Sequence, residues 1–94
     1  MRQKLSGKIR WFDAMAGNGV VRLEDGRSVP LHFTAIVGIE RNNHHWPTES
    51  DKLILAEIDN MDCKVTLCDG QVDWCCMSGA SKNKFAELIV KAGC

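Results

Sequence analysis

The side chains best equipped for chemistry in this chain are five cysteines and three histidines. Cys63, Cys68, Cys75, Cys76 and Cys94, together with His44 and His45, supply the thiolate and imidazole donors that a tetrahedral zinc site takes. Their spacing argues against such a site: no Cys-x-x-Cys pair occurs, and Cys75 and Cys76 are adjacent. The reading is free thiols and no metal. An odd number of cysteines, with no apolar stretch following the charged residues 1–5, fits a reducing compartment, so a cytoplasmic protein is expected. Gly17-Asn18-Gly19 has glycines but lacks the lysine and the serine or threonine that a phosphate-cradling loop needs. Neither His44 nor His45 has a nucleophile or carboxylate at a spacing that makes a catalytic set, and no other constellation supports catalysis. No cofactor is implied, and the chain reads as a non-enzyme.

Charge adds a second clue. The 94 residues carry 12 basic and 12 acidic side chains, yet residues 1–27 hold six basic against three acidic, and the remainder holds six against nine. A basic amino-terminal third can attract phosphate while the acidic remainder faces elsewhere. No unbroken apolar run is longer than residues 53–56, far short of the roughly 20 residues of a membrane-spanning helix, so no membrane role is expected. The length suits one domain with a single small core.

The elements that must position these residues are short. Strands are expected over residues 8–13, 20–23, 29–33, 52–58 and 64–68. Glu24-Asp25-Gly26-Arg27 forms the first clear hairpin turn, because glycine takes the positive φ that the turn requires. Pro30 has no N–H to give a ladder, so its strand belongs at an edge or a bulge. Residues 38–50, centred on Asn42-Asn43-His44-His45-Trp46-Pro47, read as a long polar loop. Five short strands of this kind suggest a small barrel. Residues 81–92 place Phe85, Leu88, Ile89 and Ala92 on one helical stripe, ended by Gly93.

Gly7-Lys8-Ile9-Arg10-Trp11-Phe12-Asp13, Ala16-Gly17-Asn18-Gly19-Val20-Val21, Asp25-Gly26 and Val29-Pro30-Leu31-His32-Phe33-Thr34-Ala35-Ile36 follow one another in a register that resembles the bacterial cold-shock domain. The resemblance implies an all-β fold, a five-stranded OB-type barrel over residues 5–70. Residues 71–94 would form a carboxy-terminal extension carrying the α-helix. It also implies binding of single-stranded RNA or DNA, as a nucleic-acid chaperone or regulator. Stacking on aromatic rings accepts any base, and flanking cations follow the backbone.

Carried over position by position, Trp11 and Phe12 would stack on bases, and Lys8 and Arg10 would lie near phosphate. His32 and Phe33 match binding residues on the third strand. Asn18 and Val20 stand where the family has the two phenylalanines of its first ribonucleoprotein motif, Pro30 replaces a phenylalanine of the second, and Ala16 replaces a lysine. At about 1–3 kcal/mol for each base–aromatic stack, three losses amount to roughly 3–9 kcal/mol if additive. Trp46 in the long loop would offer a replacement ring, His44, His45 and Arg41 would add polar contacts, and Asn18 would hydrogen-bond a base edge. The competing reading is a protein–protein interaction module whose Val20–Pro30 patch meets a partner. The apolar stripe of the helix is expected to pack on the chain's own barrel with Leu88 buried; a homodimer through that stripe is the alternative.

Overall fold

The computed structural model describes residues 2–39 and 47–92. Five strands, β1 (Arg2–Asp13), β2 (Asn18–Leu23), β3 (Ser28–His32), β4 (Asp62–Cys68) and β5 (Gln71–Met77), pair antiparallel in the order β3-β2-β1-β4-β5. Helix α1 (Glu49–Leu55) lies between β3 and β4, and α2 (Ala80–Ala92) follows β5. The sheet curls until its two ends approach. Ile36 forms a parallel bridge to Cys75, and the Val37 N–H donates to the Cys75 carbonyl at 2.8 Å. The result is the expected OB-type half-barrel with a carboxy-terminal helix.

Alternation decides what fills it. Val21 and Leu23 on β2, Val29 and Leu31 on β3, Cys63, Val65 and Leu67 on β4, and Cys75 and Met77 on β5 all point inward and are buried. Cys63 and Cys75 are both fully buried. Their side chains share a hydrogen bond that, with burial, raises the Cys75 pKa and keeps that group a neutral thiol.

Two expected elements differ from the structure. Residues 52–58, expected as a strand, mostly form α1. The decisive feature is upstream: Thr48 Oγ1 accepts from the Asp51 N–H and Asp51 Oδ2 accepts from the Thr48 N–H, each at 3.2 Å, which makes a reciprocal capping box. Asp51, Ile54 and Leu55 then bury one helical side while Leu53 stays 66% exposed, a period no strand would give, and Ile58 just beyond the helix is buried as well. The expected fifth strand, residues 64–68, lies within β4, and the actual fifth strand, β5, begins beyond Gly70.

α2 starts one residue before its expected position. Phe85 is its one buried side chain, while Leu88, Ile89 and Ala92 are half-buried against the same core. The Ser81 hydroxyl accepts from the Asp62 N–H at 2.9 Å and ties the helix start to β4. Gly38, at φ +101°, lies beneath the helix: a Cβ there would come within 2.9 Å of Ile89 and 3.0 Å of Phe85. The stripe is therefore covered by the chain itself, with Phe85 and not Leu88 seated deepest. Among the described residues, no helix is long and apolar enough to cross a membrane.

Phe85→Ala should cost about 3–5 kcal/mol and Leu88→Ala clearly less, read from urea unfolding followed by tryptophan emission. A chain ending at Gly70 loses β5 and should show no cooperative transition, whereas one ending at Ser78 keeps all five strands and should show one at lower urea.

Candidate nucleic-acid interface

The outer face of β1–β3 is organised by one extra residue. Ile9 pairs with Val21 and Trp11 pairs with Val20, so Arg10 is a bulge in β1. Before it, Leu5, Gly7 and Ile9 lie on the less exposed side and Ile9 is fully buried; after it, Phe12 points inward. Arg10 and Trp11 thus both face solvent, and the Trp11 indole is 47% exposed. Three hydrogen bonds hold the kink: Ile9 N–H to Met61 O at 2.9 Å, Asn60 N–H to Ile9 O at 2.7 Å, and Phe12 N–H to Asp59 Oδ1 at 3.0 Å. The Asp59 carboxylate serves as the acceptor that a regular neighbouring strand would have supplied.

Gly19 makes the close approach possible. A Cβ there would lie 2.3 Å from the Trp11 carbonyl oxygen and 2.6 Å from the Phe12 ring, so no larger residue fits. Gly17, at φ +78°, starts β2 by turning the chain against Phe33 and Pro47. Asp13 shapes the same turn, its Oδ1 accepting from the N–H groups of Met15 and Ala16 at 3.0 and 3.2 Å.

Directly paired residues on adjacent strands share a face. Trp11, Val20 and Pro30 form one row across β1, β2 and β3; Asp13, Asn18 and His32 form the next; Lys8, Arg22 and Ser28 form a third. His32 is exposed, its Nδ1 accepting from the Thr34 N–H at 3.3 Å and lying 2.8 Å from Thr34 Oγ1. The ring is thereby fixed at the end of β3, with its centroid 4.7 Å from that of Phe33. Lys8 makes only a long, exposed ion pair with Asp62 at 3.8 Å, which leaves its charge available to the face. Arg27 is committed elsewhere: its backbone N–H and guanidinium bind Asp25 and hold that carboxyl below the usual range.

Of the expected site residues, Lys8, Arg10, Trp11, Asn18 and His32 come together on this exposed surface. Phe12 and Phe33 do not. They are 7% and 2% exposed and belong to the core, because the bulge turns Phe12 inward and the 3-10 turn Phe33–Ala35 turns Phe33 under the barrel. Trp46, with Arg41, His44 and His45, lies outside the described residues. Arg22 was missed by sequence reasoning, although strict alternation from buried Val21 and Leu23 places it on the exposed face beside Lys8. Among the described residues, no group of three His, Cys, Asp or Glu side chains could hold a metal ion.

Curated cold shock proteins match part of this chain. The cold shock-like protein CspE of Bacillus anthracis is 44% identical over 34 residues, 36% of this chain and 51% of that protein. This chain is similar to cold shock proteins. CspB of Bacillus caldolyticus is 47% identical over 32 residues, 34% of this chain and 48% of its own length. CspD of Bacillus subtilis is 46% identical over 33 residues, 35% of this chain and 50% of its own length. The chain spans about half the length of the curated relatives it matches. No family model matches it.

Gly19→Ala should lower stability by about 1–3 kcal/mol, because the added methyl must push β2 away from the bulge. Thermal unfolding measures the cost. The tryptophan emission of the folded variant should also shift as Trp11 moves.

Proposed function

We propose that this protein binds single-stranded RNA or DNA on the outer face of β1–β3, as a cold-shock-like chaperone or regulator and not as an enzyme. The observation that carries the reading is the bulge at Arg10. It places a guanidinium and an indole side by side on the same exposed surface, the pairing that a phosphate and its base require. Lys8 and Arg22 extend the positive charge along the backbone path. Asn18 and His32, paired across β2 and β3, offer hydrogen bonds to base edges. The partial likeness to cold shock proteins supports the same reading.

In this interface Trp11 carries the stacking, since Val20 and Pro30 occupy the rest of its row. The expected affinity is therefore modest, and it falls with salt because each neutralised phosphate releases counterions.

Titration with a short oligonucleotide at two salt concentrations, followed by tryptophan quenching, tests the proposal. Trp11→Ala should weaken binding by about 1–3 kcal/mol while the urea midpoint changes little, because the exposed indole supports little of the core. Unaltered binding by a folded Trp11→Ala protein would reject the interface. In the opposite direction, Asn18→Phe with Val20→Phe should tighten binding, each new ring adding a stacking surface next to Trp11. If the native face binds no oligonucleotide and the double variant gains nothing, the surface is better read as a protein contact.

A further inference from the structure

β5 contains a second bulge that repeats the device found in β1. Thr66 pairs with Trp74 and Leu67 with Val72, which leaves Asp73 as the extra residue. Trp74 follows it facing outward, 38% exposed, just as Trp11 follows Arg10. The indole lines a groove of about 400 Å³ together with Lys4 from β1, Lys64 from β4 and Lys82 from the first turn of α2. Cys76, Ser78 and Gly79 also line it, and among the described residues no acidic side chain does. Among the described residues, none of the three lysines forms an ion pair. Asp73, the nearest carboxylate in sequence, is engaged in an interaction of its own.

Pairing places Lys4, Thr66 and Trp74 in one row across β1, β4 and β5. Thr66 points outward between buried Val65 and Leu67, yet is only 6% exposed. Lys4 and Trp74 flank it in that row and both line the groove. Three unpaired ammonium groups around a partly exposed indole match a nucleotide, whose base stacks while its phosphates meet the cations.

The two tryptophans are joined by β1. Its exposed side chains between the sites are Lys4, Ser6, Lys8 and Arg10, so positive charge recurs along the strand. Lys4 and Trp11 are seven positions apart, about 23 Å along β1. A strand of nucleic acid seated at Trp11 and followed along β1 reaches Trp74 only if it is long.

We infer that the groove formed by Trp74, Lys4, Lys64 and Lys82 is a second contact for single-stranded nucleic acid, engaged by oligonucleotides long enough to extend from the Trp11 face. This rests on the function proposed above. The test is a reporter of this 94-residue chain carrying Trp11→Phe and Trp46→Phe, in which Trp74 is the sole indole, titrated with oligonucleotides of six and sixteen nucleotides. The longer strand should quench Trp74 and the shorter should not at equal occupancy. In the native background, Lys64→Gln with Lys82→Gln should leave affinity for the six-nucleotide strand unchanged and weaken the longer one several-fold. The slope of log K against log salt should become shallower by about 0.7 for each phosphate contact removed. Trp74→Ala should weaken only the longer strand as well.

Tight binding of both lengths, with no response of Trp74 and no effect of the lysine changes, would overturn the second contact while leaving the Trp11 interface in place. Equal quenching by polyglutamate of matching charge would overturn it too, since that marks a site for acidic protein and not for bases. Failure of native protein to bind either length would remove the proposed function and this inference together.

Discussion

The surface of this barrel depends on a close contact between two backbones. Gly19 lets β2 press against the Trp11 carbonyl, and that proximity keeps β1 paired with β2 on both sides of the Arg10 bulge. One inserted residue reverses the alternation of the strand, so the order Ile9, Arg10, Trp11, Phe12 becomes in, out, out, in. An unbroken strand would have turned either Trp11 or Arg10 into the core. The core gains Phe12, the surface gains an adjacent cation and ring, and Asp59 satisfies the N–H that the kink would otherwise strand.

The same logic explains what could be read from sequence and what could not. The arrangement of Trp11, the Asp25-Gly26 turn and the 29–33 strand was legible because glycines and a hairpin mark it locally. The inward turn of Phe12 and Phe33 was not legible: a bulge has no residue signature of its own, and Phe33 leaves the strand for a 3-10 turn. β5 escaped notice for the same reason, since the bulge at Asp73 breaks the alternation of Val72, Trp74 and Met77. α1 was misread for a different cause. Its run Leu53-Ile54-Leu55 suits strand or helix equally, and the discriminating signal was the polar Thr48-Glu49-Ser50-Asp51 ahead of it. Apart from that capping box, locally encoded features were accessible, whereas those set by the register of a distant partner were not.

The helix at the end of the chain shows how a small barrel gains core. Five short strands enclose limited volume, and Phe85 adds one of the larger buried side chains from outside the sheet. It does so near Gly38, in the segment that closes β3 onto β5, so the helix reinforces the seam where the curled sheet meets itself. The outer face of β1–β3 is left uncovered, which keeps the proposed binding surface apart from the element that stabilises the fold.

Pro30 has a consequence beyond the row it shares with Trp11. β3 is the terminal strand in the order of the sheet, and among the described residues no strand is hydrogen-bonded along its outer side, the bridge to β5 forming only beyond it at Ile36. A bare strand edge invites another copy of the chain to add its own strand, the first step towards fibrous aggregates. At Pro30 the backbone has no hydrogen to offer an incoming chain, and the rigid ring occupies the approach. The residue that completes the row beside Trp11 also guards the edge of the sheet against such pairing.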